Sequence, residues 1–246
     1  MRNIVAFLLC AFAGAAMAAE IRVLSAGAVE PGLRAAAAAA FRKQSGHEVN
    51  ITFNTAPEIR KRISGGDAFD VVIAPPAALD EFAGAGKVAT DRVNVGRVGL
   101  GVAVRPGAAL PDISSTEALK RSVLQAESIV FNRASTGIYL EKLLKKLGIY
   151  EQVEAKTTRY SDAAAVMEHV LKGQGKEIGF GPVTEILLQR EKGLKLVGPL
   201  PREVQNYTSY SAVPMTAAAN AELARSFVGY LGSPEGRALF VAAGVE

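Results

Sequence analysis

Short strand-patterned runs alternate with helix-patterned runs along almost the whole chain, and that alternation restricts the fold more than any other feature. Ile21–Ser25, Val49–Phe53 and Asp70–Ala74 read as strands. Between and after them lie helix patterns from Pro31 to Gln44, from Pro57 to Gly65-Gly66, and over Ala77–Ala83. Strand–helix–strand units of this length give a parallel sheet with helices on both faces. The third strand is apolar almost throughout, as a strand covered on both faces must be. Gly46 and Gly65-Gly66 follow two of the helices, where a left-handed cap suits glycine.

The alternation breaks once and then resumes. Val93–Val104 is long, glycine-spaced and β-rich, and predicts a strand that crosses between two lobes. A second block follows: helix Ser115–Leu124, strand Ser128–Phe131, helix Gly137–Leu147, strand Lys156–Thr158, helix Asp162–Leu171, strand Glu177–Gly181, helix Val183–Lys192 and strand Leu194–Val197. Tyr207–Val213 predicts a second crossing, with helices Ala217–Leu231 and Pro234–Ala242 after it. The pattern therefore gives an α/β chain of two doubly wound lobes joined by two β crossings. Lobe one takes residues 19–97 and 211–246, and lobe two takes 98–210.

Composition removes several classes. Of 246 residues, 49% are hydrophobic and 21% charged, so neither disorder nor a coiled coil fits. The net charge of +4 is spread along the chain, without the basic stripe that nucleic-acid binding requires. Met1–Ala18 has the form of a secretory leader. Arg2 supplies the charge, Ile4–Phe12 the apolar run and Ala16-Met17-Ala18 the cleavage site, so the expected location is the periplasm. The single cysteine, Cys10, lies inside that leader and excludes an internal disulfide. With two histidines left, His47 in a loop and His169 in mid-helix, no metal site and no cofactor are expected. No P-loop, G-x-S-x-G or H-E-x-x-H motif is present.

In open α/β sheets, ligands bind beyond the carboxyl ends of the strands. Those ends are rich in small and polar residues here: Ser25, Gly27 and Ala28; Asn54, Thr55 and Ala56; Asn132, Arg133, Ser135, Thr136 and Gly137; Arg159 and Tyr160; Pro182 and Glu185. Loops of small residues that open helices present unpaired N–H groups and the positive end of the helix dipole, a combination suited to anions. Ser135 or Thr136 would cap its helix. Arg133 and Arg159 would add bidentate donors for a carboxylate.

On the patches Val23–Ala28, Phe53–Ile63, Asp70–Pro75, Thr136–Gly148 and Ser233–Phe240, the chain resembles the periplasmic molybdate-binding protein family, type II solute-binding proteins of ABC importers. The resemblance implies the type II periplasmic-binding-protein fold, closing on a small anion, with a membrane permease as partner and a monomeric protein. It also implies hydroxyl donors at positions that fall here on Ala28 and Ala56, a helix-start donor on Thr136, and a closing tyrosine near Pro182. Without those hydroxyls a tetrahedral oxyanion loses about 1.5–3 kcal/mol per charge-assisted bond. The expected ligand is therefore an organic di- or tricarboxylate rather than molybdate. The chain is also similar to periplasmic aconitate isomerases, which resemble molybdate-binding proteins. That likeness implies cofactor-free allylic proton transfer, for which Glu58, Glu185, Tyr139 and Tyr160 are the candidate proton carriers.

Overall fold

The computed structural model describes residues 18–246, so the leader, Cys10 and the cleavage expectation fall almost wholly outside it. Nine strands run in the order β2-β1-β3-β9-β4-β7-β5-β6, with β8 (Lys195–Pro199) added on β4. The first lobe pairs β1 (Glu20–Ala26) in parallel with β2 (Glu48–Asn54) and β3 (Val71–Ala74). The second repeats the plan: β5 (Ser128–Asn132) is parallel to β6 (Thr157–Tyr160) and β7 (Glu177–Pro182). Each lobe thus has its first strand central, its second at the edge and its third inward.

β4 (Val93–Val104) joins the lobes as one long strand. Val93–Gly99 pairs antiparallel with β9 (Tyr207–Pro214), and Leu100–Val104 pairs with β7 and β8. β9 in turn pairs antiparallel with β3, so both crossings are built into the sheets. Where β4 passes beneath the chain end, Gly96 adopts φ +138°, and a side chain there would collide with Val245 and Glu246.

Helices cover both faces. A helix over residues 30–45, with a π-helical stretch at Leu33–Ala38, follows a 3-10 turn at Gly27–Val29 and ends at the left-handed Gly46. The remaining long helices are Ala56–Ser64, Pro76–Gly84, Thr116–Gln125, Ser135–Lys146, Ala163–Lys172, Ala221–Gly232 and Pro234–Ala242. The helix expected over Val183–Lys192 stops at Leu188 and passes into a 3-10 turn. The one expected from Ala217 starts at Ala221, where Asn220 caps it by accepting from the Leu223 amide. One continuous apolar core fills the first lobe, with Leu24, Ile73 and Phe227 at its centre. In the second lobe the sheet separates two cores, one around Phe131 and Phe180 and one around Val166 and Met167.

Asp70 fastens the first lobe together. It is buried, and its two carboxylate oxygens accept from the backbone N–H groups of Arg22 and Ala219, each at 2.8 Å. These bonds tie the entry of β3 to β1 and to the segment after β9. Asp70→Ala leaves two part-buried backbone donors without partners. A loss of roughly 2–5 kcal/mol in unfolding free energy is expected, measured by urea denaturation.

Candidate ligand-binding cleft

The carboxyl ends of the parallel strands of both lobes face one cleft of about 380 Å³. Its wall repeats from lobe to lobe. In the first lobe, β1 hands over to Gly27 and Ala28, and β2 to Thr55, Ala56 and Glu58. In the second, β5 hands over to Ser135 and Thr136, and β6 to Ser161, Asp162, Ala163 and Ala164. The third strand of each lobe ends on a proline without an N–H, Pro75 and Pro182.

The first three amides of a helix have no partner within it. At Ala56–Ser64, Thr55 makes no side-chain cap and Pro57 has no N–H, so the Ala56 and Glu58 amides stay available. At Ala163–Lys172, Asp162 caps by accepting from Ala165, which leaves the Ala163 and Ala164 amides. At Ser135–Lys146 the capping group is neither Ser135 nor Thr136. Asn132, buried at the end of β5, accepts from the Ala134 and Gly137 amides at 3.0 and 3.1 Å, and its carboxamide also bonds the Thr136 hydroxyl. The Ser135 hydroxyl and the Ser135 and Thr136 amides are thereby left facing the cleft. Amide pairs from three helix starts, one in the first lobe and two in the second, therefore converge on one space beside the Gly27–Ala28 turn. That arrangement binds negative charge without a lysine or arginine.

Several expected site residues lie elsewhere, each for an identifiable reason. Arg133 is exposed and off the cleft wall. Its amide continues the β5–β6 ladder to the Tyr160 carbonyl, so strand alternation turns Asn132 inward and Arg133 outward. Arg159 lies within β6 rather than after it. Its guanidinium packs over the Phe131 ring and pairs with Glu141 on the back of the sheet. Tyr160 bonds His169 at 2.8 Å, and Tyr139 donates to the Val204 carbonyl at 2.8 Å; neither lines the cleft. Ser25 is buried beneath the wall and donates to the Ala26 carbonyl. Gly137 packs instead of lining: a Cβ there would fall 1.7 Å from the Asn132 carbonyl oxygen. Gly27, Ala28, Asn54, Thr55, Ala56, Asn132, Ser135, Thr136, Pro182, Glu58 and Glu185 are on the wall.

Sequence reasoning missed three wall residues that matter, Phe53, Asp162 and Tyr210, and placed Glu30 only as an acid near a strand end. Asp162 had a signal, since it begins a helix pattern directly after a strand end. Tyr210 had none, because its place under the cleft depends on where the second crossing passes.

The charged groups on the wall are all acidic. Glu30 pairs with Arg34 at 2.9 Å, Lys61 stands 3.9 Å from Glu58, and Asp162 is held by the Ser161 hydroxyl and the Ala165 amide. Among the described residues, Glu185 has no such partner, and its side chain is part-buried where it lines the cleft. A Cβ on Gly27, across from it, would lie 3.6 Å from the nearer carboxyl oxygen. Burial first, and then the charges of Glu30 and Asp162, push Glu185 up to about 8. The same burial, together with Glu185, raises Tyr210 well above the usual phenol range. Next to Glu185, Thr184 donates to the Ala28 carbonyl at 2.6 Å and ties the lobes beneath the cleft. Among the described residues, no three His, Cys, Asp or Glu side chains are grouped to hold a metal.

Two doubly wound lobes on shared crossing strands, with helix starts around the cleft between them, define the type II periplasmic-binding-protein fold. The profile of the bacterial extracellular solute-binding proteins matches residues 21–246, and the chain belongs to that family. It is 31% identical over 222 residues to an aconitate isomerase from a Pseudomonas species, covering 87% of this chain and 83% of that one. The periplasmic molybdate-binding protein of Azotobacter vinelandii superposes with a TM-score of 0.77 at 20% identity, over 92% of this chain and 98% of that one. The sulfate-binding protein SubI of Mycobacterium tuberculosis H37Rv gives 0.74 at 14%, over 92% and 86%. At these identities the two structures establish the shared fold.

The raised Glu185 has a consequence for stability. The folded chain holds its proton more tightly than the unfolded chain, whose glutamates titrate near 4.5. Wild-type stability therefore falls as pH rises from 4.5 through about 8. Glu185→Gln is expected to match the wild type at pH 4 and to exceed it by roughly 3–5 kcal/mol at pH 8.5, measured by urea denaturation at both pH values.

Proposed function

We propose that the cleft captures a small organic di- or tricarboxylate and that the protein delivers it, from the periplasm, to the permease of an ABC importer. The convergence of amide pairs from both lobes on a cleft without lysine or arginine carries this reading. Neutral fixed donors suit an anion that must be released again. The helix starts are fixed by the fold, so little ordering entropy is lost when they engage. Ala28 and Ala56 stand where hydroxyls would grip a tetrahedral oxyanion, and Phe53 and Tyr210 supply an apolar wall suited to a carbon skeleton. The arginines expected to assist are turned away, so the amides and the Ser135 hydroxyl supply donors where guanidinium groups were expected. Isothermal titration with tricarballylate, citrate, cis-aconitate, molybdate and sulfate tests the reading. The carboxylates are expected to bind at least tenfold more tightly than either inorganic anion, since two lost charge-assisted bonds correspond to a factor of about 100 or more. Tight molybdate binding without any carboxylate response refutes it.

A second reading, aconitate isomerisation, has its own support in Glu185 and in the Pseudomonas relative. A site that only holds an anion gains nothing from an ionised carboxylate beside it, whereas a carboxyl poised near neutral pH is suited to proton transfer. Glu185 would take an allylic proton α to a carboxylate and return it at the other end of the allyl unit. The amides would stabilise the charge that develops meanwhile. On this reading, conversion of cis-aconitate, followed by absorbance, rises with pH as Glu185 ionises and levels off above about 8. Glu185→Gln is expected to lower turnover by roughly 100-fold or more. Absence of turnover at any pH leaves capture as the function.

A further inference from the structure

Resting on the carboxylate-capture reading, we propose that Glu185 is a ligand-contacting donor: the cleft takes its carboxylate together with one proton, held between Glu185 and the bound anion. Among the described residues, Glu185 is the one acidic wall residue without a cation, a hydroxyl or a capped amide on its carboxyl. It reaches across to Gly27, so its carboxyl lies between the donors of the first lobe and the body of the cleft. A carboxylate entering there faces Glu185 at close range. Two ionised carboxylates cannot share that space without strong repulsion, but a carboxyl and a carboxylate sharing one proton form a charge-assisted hydrogen bond. The nearest cation on that part of the wall, Arg34, stacks on the Phe53 ring and is already paired with Glu30.

Among the described residues, the surroundings contain no free cation that would substitute for the proton. Glu30 faces Glu185 from the start of the 30–45 helix, Asp162 from the start of the Ala163–Lys172 helix and Tyr210 from β9; all three disfavour a second negative charge or stay neutral. Glu58 stands on the same wall. On the other elements packed against the Val183–Leu188 helix, Arg97 pairs with Glu246 and Glu177 with Arg105, while Lys195 and the Arg190–Lys192 turn are exposed to solvent. His169, on the neighbouring helix, is engaged by Tyr160, and Lys172 by Glu168. The raised proton affinity of Glu185 in the free protein fits this role. Protonation then sets specificity as well: the donor O–H prefers a basic carboxylate oxygen over the weakly basic oxygens of sulfate.

The decisive measurement is titration calorimetry of tricarballylate, whose carboxyls are all ionised above pH 7, in buffers of different ionisation enthalpy at pH 7 and pH 9. Linkage through a group titrating near 8 gives an affinity about tenfold weaker at pH 9 than at pH 7. It also gives uptake of about 0.9 proton per ligand at pH 9 and about 0.1 at pH 7. Glu185→Gln, which removes the titrating proton, is expected to show no loss of affinity between pH 7 and pH 9 and to take up no proton. The wild-type proton count needs no variant, so it stands if Glu185→Gln fails to fold. Equal affinity at both pH values with no proton uptake overturns the proposal and leaves carboxylate capture intact. No binding of tricarballylate, citrate or cis-aconitate at either pH overturns the capture reading itself.

Discussion

An anion leaving water must meet donors that were already in place, and in this fold those donors are backbone amides that helix geometry leaves without partners. Everything else about the cleft follows from where those amides fall. A parallel strand ends, the chain turns, and the next helix begins with its free N–H groups aimed back over the sheet. Because the two lobes share this plan, three such starts and the Gly27–Ala28 turn after β1 come to one space. The third strands end on Pro75 and Pro182, which withhold an amide and close the wall instead. Lysine or arginine at the same points would add charge, but each would bring a flexible side chain to be ordered on every binding event.

Capping decides how many donors survive. A serine or threonine at a helix start ordinarily turns its hydroxyl onto its own backbone. Asn132 takes that task from one strand end upstream, with its carbonyl oxygen on the Gly137 amide and its carboxamide on the Thr136 hydroxyl. Gly137 permits it, because any larger residue would strike the Asn132 carbonyl. The Asn132–Gly137 turn is thus a packing solution whose outcome is a free Ser135 hydroxyl. Asp162 does the reverse at the neighbouring helix: it caps with its own side chain and leaves two alanine amides as the accessible donors.

The alternation of strands and helices, the crossing at Val93–Val104 and the small residues at strand ends could all be read from the sequence, because each rests on local periodicity or on turn chemistry. The arginines could not. Placing Arg159 in a loop required β6 to end at Thr158, yet it continues to Tyr160, and two residues of extension moved the guanidinium onto Phe131 and Glu141. Arg133 failed by a single step of strand alternation. Side-chain direction at a strand end depends on the last ladder bond, which no pattern of residue types fixes. Glu185 was visible only as one carboxylate among several near strand ends. What singles it out is the absence of a partner, and that is a property of three-dimensional packing.

The two-lobed plan also explains why a ligand would close this cleft rather than merely occupy it. Amides from one lobe hold an anion equally well whether or not the other lobe is near, so they exert no pull on the second lobe. Only a molecule that reaches both sets of helix starts binds the closed arrangement better than the open one. The Thr184–Ala28 bond ties the lobes beneath that space. Capture and turnover can share this geometry, since both need a carboxylate gripped from two sides, and they differ in what one carboxyl does with its proton. A fold common to binders of molybdate and sulfate can therefore acquire new chemistry at its cleft without any rearrangement of its sheets.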